Sequence, residues 1–267
     1  MSTPETPPSA IPEDEITVPV PAATIILVRD GQPGLEVLVL RKASGKHFAG
    51  GAWVFPGGKA EDTDLAFAGE TDAMANDFAG LKVAAVREMF EECRILLARP
   101  PGGDAVLDAA AREDVLAAGG ETPMLDIAAQ AGLRLATDQL ERFAHWITPP
   151  SRAKRFDTHF FVAPAPAGQA EVTVDGYEIV EANWCRPADM LEEVHAGRLK
   201  LVLPTMMNLI KLSHWEDVEA LITHTRREEV FCVRPKRVET PEGQQIVIPE
   251  EAGYGVTTIP SQFLRSA

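Results

Sequence analysis

The stretch that most constrains this chain is Arg87-Glu88-Met89-Phe90-Glu91-Glu92. On a helix that turns about 100° per residue, Glu88, Glu91 and Glu92 fall within roughly 50–60° of one direction. Val83, Val86, Phe90, Cys93 and Leu97 gather on the opposite side. One face therefore suits a core, and the other concentrates three like charges. Like charges at i,i+4 destabilise a bare helix by about 0.2–0.5 kcal/mol per pair. A solvated acidic face is the plain explanation; a hard divalent cation held among oxygen ligands is the chemical one. The upstream sequence favours the second. Strand-like residues 52–55 stop at Pro56-Gly57-Gly58, and Glu61 follows. Glycines at such a turn let the backbone approach a ligand closely. A strand, a glycine loop and an acidic helix together make a site for a metal and a phosphate.

The rest of the chain supplies mixed strands and helices. Residues 22–28 and 35–40 are β-branched or alternating, with turn chemistry between them. A helix is expected over residues 82–98, with Ala-rich helices over 104–118 and 123–131. Strands follow near 145–147, 156–163 and 178–185. Pro187 suits the first position of a helix reaching residue 196. Helices over 205–212 and 216–223 and a hairpin over 228–238 and 244–248 complete the reading. Without regular βαβ alternation, this order indicates an α+β fold.

Composition excludes several classes. The 25 Lys+Arg against 40 Asp+Glu give a net charge of −15, which disfavours binding to a nucleic-acid backbone. The charge is uneven. The Pro-rich residues 1–19, read as a disordered acidic tail, carry four acids and no base. Residues 57–98 hold nine acids against four bases, whereas residues 29–59 hold five bases against two acids. The tail lacks a basic segment followed by an apolar one, so it is no signal peptide. No run of 18 apolar residues suggests a membrane span. Cys93, Cys185 and Cys232 are widely spaced, which fits a reducing compartment, and the expected location is cytoplasmic.

The sequence resembles the Nudix hydrolases, whose box reads Gx5Ex7REUxEExGU with U aliphatic. Gly58 matches the leading glycine, and residues 87–92 match REUxEE in full. Three departures stand out. Asp64 occupies the first glutamate position, 22 residues rather than 7 separate it from Arg87, and Arg94 replaces the glycine after the acidic pair. Without that glycine the helix is expected to run on through Leu97. An interrupted box is similar to that of the acyl-coenzyme A diphosphatase-like branch. The segments Trp53-Val54-Phe55-Pro56-Gly57-Gly58, Trp146-Ile147-Thr148-Pro149 and Arg155-Phe156-Asp157-Thr158-His159-Phe160-Phe161 share its flavour.

The resemblance implies an α/β/α sandwich with a mixed sheet over residues 20–198. Its box is interrupted at about 65–81, and a helical insertion covers about 100–140. Residues 199–267 are read as a C-terminal helical and hairpin extension packed on that domain. It further implies Mg²⁺ or Mn²⁺ as cofactor, held by Glu88, Glu91 and Glu92, with Glu61 reaching it through water. Catalysis falls to Glu88, Arg87 and Glu92, Arg87 orienting a glutamate by a two-pronged contact. Glu88, Glu178 and Glu181 remain open as general base. Gly57, Gly58, Arg41, Lys59, Arg152 and Arg155 are the expected substrate contacts, since arginine forks suit phosphate oxygens. The implied partner is a small-molecule diphosphate, coenzyme A or acyl-CoA, cleaved to 3′,5′-ADP and a phosphopantetheine species. ADP-ribose or another nucleoside diphosphate derivative is the alternative substrate, and a catalytically silent binding module the alternative role. Many members of the family are dimers, so a homodimer is carried as an expectation.

Overall fold

The computed structural model describes residues 17–45, 49–71, 78–120, 122–174, 176–241 and 243–260. The expected tail lies outside them up to residue 16. Thr17 is already anchored, its hydroxyl donating to the Ala153 carbonyl at 3.2 Å.

Two apolar runs make the centre of the sheet, β1 (Val20–Gly31) and β2 (Gly34–Lys42), an antiparallel pair whose turn places Gly34 at φ +79°. β3 (Trp53–Val54) and β4 (Gly57–Lys59) follow, then α1 (Asp62–Thr71) and α2 (Ala79–Cys93). Next come β5 (Ala98–Arg99), α3 (Ala109–Gly119), α4 (Met124–Gln130), β6 (Arg134–Leu135), β7 (Glu141–Ile147), β8 (Phe156–Pro164) and β9 (Ile179–Cys185). The C-terminal third holds α5 (Pro187–His195), α6 (Leu203–Leu212), α7 (Val218–Thr225), β10 (Cys232–Val233), β11 (Lys236–Thr240), β12 (Gly243–Val247) and β13 (Thr258–Pro260).

The main sheet is mixed. β1 lies parallel to β8 on one side; on the other it pairs antiparallel first with β4 and then with β2. The far half of β2 pairs with β3 and β9, and β7 and β10 extend the β8 edge. Alternation along the strands divides the core, because successive side chains point to opposite faces. Ala23, Ile25, Leu27, Leu38 and Leu40 pack with Val83, Val86 and Phe90 of α2. Ile26, Val28, Val37 and Val39 pack with Met207, Leu209 and Leu221 of α6 and α7. Helices thus cover both faces, giving the α/β/α arrangement. Among the described residues no helix is long and apolar enough to cross a membrane.

Two expectations change. The helix ends at Cys93 and does not reach Leu97: Arg94 itself takes the left-handed conformation, φ 58° and ψ 20°, and its N–H reaches the Phe90 carbonyl at 2.9 Å. An L-residue there costs about 1–2 kcal/mol. Burial of the next three residues offsets that cost, since Ile95, Leu96 and Leu97 all enter the core in an extended run. The side-chain amide of Gln169, fully buried, accepts from Leu96 N–H at 2.9 Å and donates to the Leu107 carbonyl at 2.7 Å. The second change is α1, a helix that occupies the first part of the box interruption.

The C-terminal segment reaches the second core through Tyr254, in the bend before β13 and 3% exposed. Its hydroxyl accepts from Trp146 Nε1–H at 2.8 Å and donates to Asn208 Oδ1 at 2.9 Å. Tyr254→Phe leaves both partners buried and unsatisfied, so a loss of about 1–3 kcal/mol is expected, read as a lower midpoint in denaturant.

Candidate active site

The glycine loop and α2 meet because β4 pairs with β1, setting Gly57 opposite Thr24 and Gly58 opposite Ala23. A side chain at Gly57 would put its Cβ 2.5 Å from the Ala23 carbonyl oxygen and 2.7 Å from the Thr24 Cα. At Gly58 a Cβ would stand 2.4 Å from the Glu88 carboxyl group. The two glycines are therefore required for different reasons, one by the β1 backbone and one by the acidic helix. Gly58→Ala is expected to push the Glu88 carboxylate out of place and cut activity with the fold retained. Gly57→Ala collides with backbone that cannot yield, and is expected to lower the melting temperature as well.

The helix does not present a solvated acidic face. Glu92 is 7% exposed, and its Oε2 accepts from Gly57 N–H at 2.9 Å. Burial pushes its carboxyl up to about 8; Lys42 and the Gly57 N–H oppose the shift, while Glu88 and Glu178 add to it. Glu88 is held above the usual carboxylate range, again chiefly by burial and against the pull of Arg87. Glu91 is half exposed.

Arg87 organises the site. Its Nε and Nη2 grip the two oxygens of Asp64 at 2.8 and 2.9 Å, and Nη2 also donates to the Lys59 carbonyl at 2.9 Å. Nη1 reaches Glu88 at 3.0 Å and Glu91 at 3.2 Å. Burial opposes the arginine's charge, but Asp64, Glu88 and Glu91 outweigh it and raise its pKa further. The two-pronged contact expected to a glutamate is thus made to Asp64, the residue that departs from the box. Asp64 is fully buried and also accepts from the Glu61 N–H at 2.8 Å. The departure at position 64 keeps a carboxylate for Arg87 across α1.

The other expected site residues are spread more widely. The Glu61 side chain is exposed at the start of α1. Lys59 and Arg152 are exposed, and Arg41 of β2 is ion-paired with Glu181 at 2.8 Å. Glu178 pairs with Lys42 at 2.8 Å, which brings one of the two strand-side base candidates beside the charge that faces Glu92. Arg155 differs from expectation. It is buried, and its guanidinium donates to the carbonyls of Thr148 and Thr17, so it fastens the chain entry to the β7–β8 turn and is not free for substrate. Lys46 and His47 lie outside the described residues. Sequence reasoning undervalued Asp64 and Lys42; the signal for the first was its place six residues after Gly58.

The donor chemistry suits a hard divalent ion: Glu88, Glu91 and Glu92 all offer oxygen, and Mg²⁺-type ions accept such ligands and keep several waters. Their oxygens do not all lie within 4.8 Å of one another, so the three would have to close on an ion or share it through water.

The chain is similar to known proteins in sequence and in fold. The family model described as the NUDT19 Nudix domain matches residues 66–212. The chain is 23% identical to the acyl-coenzyme A diphosphatase NUDT19 of Gallus gallus, over 74% of this chain and 69% of that protein. It is 25% identical to the Xenopus laevis protein of the same name, over 70% and 62%. Among solved structures, a NUDIX hydrolase from Alicyclobacillus acidocaldarius is 32% identical with a TM-score of 0.66, covering 78% of this chain and 97% of that one. The glycine loop, Arg87 and its glutamates, and a family match across more than half of the chain agree: the protein belongs to the Nudix hydrolases, in the NUDT19-like branch.

Proposed function

We propose that the chain hydrolyses the diphosphate bond of coenzyme A or an acyl-coenzyme A with Mg²⁺ or Mn²⁺, releasing 3′,5′-ADP and phosphopantetheine or its acyl form. The observation that carries the reading is the seating of Glu88 and Glu92 against Gly58 and Gly57, with Arg87 holding Glu88 and Glu91 from the other side. The substrate class is supported by the relatives named acyl-coenzyme A diphosphatase.

In the reaction a water oxygen bonds to one phosphorus and the bridging P–O bond breaks. The bridging oxygen leaves with the other phosphate, and one proton of the water passes to a base. Glu88, Glu91 and Glu92, with Glu61 through water, would hold the divalent ion, which when bound would supply Lewis-acid stabilisation of the phosphate charge. Arg87 holds Glu88 and Glu91 in place from one guanidinium nitrogen. Gly57 and Gly58 keep the loop free of side chains where the diphosphate enters. Lys59, Arg41 and Arg152 provide positive charge at the exposed rim. Glu88 is the base candidate within the box, with Glu178 and Glu181 the alternatives on the β2–β9 side.

The test is a panel of coenzyme A, an acyl-CoA, ADP-ribose and a dinucleotide diphosphate, incubated with Mg²⁺ or Mn²⁺ in ¹⁸O-water. The coenzyme A substrates are expected to yield 3′,5′-ADP, with label in one phosphate product. Turnover of ADP-ribose with coenzyme A untouched would overturn the substrate, and absence of label in every product would overturn hydrolysis.

A further inference from the structure

A second cluster lies across the sheet from the glutamates. The register sets Gly58 opposite Ala23, Ala23 opposite His159, His159 opposite His145, and His145 opposite Cys232. One row thus crosses β4, β1, β8, β7 and β10. At its far end the rings of His145 and His159 stack at 4.0 Å between centroids. Asp157, two residues before His159 and so on the same face of β8, places Oδ1 at 2.6 Å from His145 Nε2 and 3.8 Å from His159 Nε2. Cys232 Sγ stands 4.0 Å from the same His145 nitrogen. One donor atom each from His145, Asp157 and His159 falls within 4.8 Å of the others, and no other such set occurs among the described residues.

From this geometry we infer a second divalent-metal site, of zinc type, formed by His145, Asp157 and His159 with Cys232 as fourth ligand. Two imidazoles, a carboxylate and a thiolate are the donors zinc takes in four-coordinate sites, and they differ in kind from an all-oxygen magnesium set. Tetrahedral bonds of about 2.0–2.3 Å put neighbouring ligand atoms roughly 3.3–3.6 Å apart. The His145–Asp157 contact would open and the His159–Asp157 and Cys232–His145 contacts close, each by well under 1 Å. Cys232 Sγ lies outside the 4.8 Å set, so it would have to swing in, and the stacked rings turn, to complete the shell.

His159 gives independent support. It is 8% exposed, and neither ring nitrogen has a hydrogen-bond partner among the described residues: Nδ1 is buried and unsatisfied, and Nε2 faces Asp157 beyond bonding range. An ion on Nε2 would give the ring one partner, while Nδ1 would stay without one. Asp157 is 36% exposed at the side chain, so the cluster opens to solvent for metal entry. Two cations are near: Arg142, stacked 4.5 Å over Phe78, whose ring also contacts His159, and Arg234, hydrogen-bonded to Cys232. The Asp157 carboxylate and a Cys232 thiolate would offset them. Because β10 is only two residues long, the ion would staple this edge strand to β7 and β8.

The probe is Co²⁺ added to the chelator-stripped full chain. Tetrahedral N/S ligation gives an intense visible absorption and a near-ultraviolet thiolate band, whereas carboxylate-and-water ligation at Glu88–Glu92 gives only weak bands. One equivalent of the intense species is expected, displaced by Zn²⁺ and retained in Glu91→Gln/Glu92→Gln. The near-ultraviolet band should be lost in Cys232→Ser and the whole spectrum in His145→Ala/His159→Ala. Zn²⁺ should also raise the melting temperature of the wild type and not of the double-histidine variant. If the wild type gives no tetrahedral spectrum, or one that survives the histidine substitutions, the cluster is a hydrogen-bonded pair only and the inference is overturned. Should the histidine variant fail to fold, the wild type and Cys232→Ser still decide.

Discussion

Glu92→Gln is expected to lower turnover by about 10²–10³-fold while the protein stays folded. The amide keeps an oxygen that can accept from Gly57 N–H, so the loop contact survives. The negative ligand is what disappears, and an ion that stabilises phosphate charge contributes several kcal/mol, each 1.36 kcal/mol being tenfold in rate. The metal-free protein adds a second readout. With its carboxyl pushed up to about 8, Glu92 keeps its proton in the folded chain after an ordinary glutamate in the unfolded chain has lost it. The folded state then binds more protons, so its stability falls as pH rises from the ordinary glutamate range through about 8. In Glu92→Gln that part of the decline should be missing. Metal affinity of the wild type should rise over the same window, because the ligand must shed its proton to bind. Parallel melts and Mn²⁺ titrations across this range check both. Full turnover in the variant would remove Glu92 from the site.

Arg87→Ala is expected to cost about 3–5 kcal/mol, because it strands Asp64, 0% exposed, as an unpaired buried carboxylate. For a chain of this length that is a fall of roughly 6–20 °C in melting temperature. Arg87→Lys should recover little. An ammonium has no planar fork, and five guanidinium contacts converge here on Asp64, Glu88, Glu91 and the Lys59 carbonyl. Replacing both charges, as in Asp64→Leu/Arg87→Met, should restore much of the stability, since an apolar pair avoids the desolvation cost of both ions. It should not restore turnover, because Glu88 and Glu91 would still lack their common anchor. Equal recovery of stability and turnover would show that Arg87 only holds the fold.

Much of this was legible in the residues, for identifiable reasons. β1 and β2 announced themselves because buried strands are runs of Ile, Leu and Val, and α2 because its apolar and acidic positions repeat at helical spacing. Glu88, Glu91 and Glu92 share one side of α2 by local geometry alone. The features that could not be read depended on distant partners. The stop at Arg94 is imposed by burial of the next three residues and by Gln169, 73 positions away from Leu96. Arg155 looked like a phosphate ligand because charge is visible in sequence, whereas its engagement by two backbone carbonyls is not. The row from Gly58 to Cys232 exists only once five strands are in register.

The Asp64–Arg87 pair has a bearing on how chains of this kind diverge. It ties together the two ends of the box interruption, so the segment between is closed at its root. For a loop already closed, doubling its length costs only about 0.6 kcal/mol of chain entropy. Residues added between Thr71 and Phe78 would therefore leave the Arg87 contacts standing. The interruption is a graft point, where new surface can be built beside the glycine loop and α2 without their packing having to be reinvented.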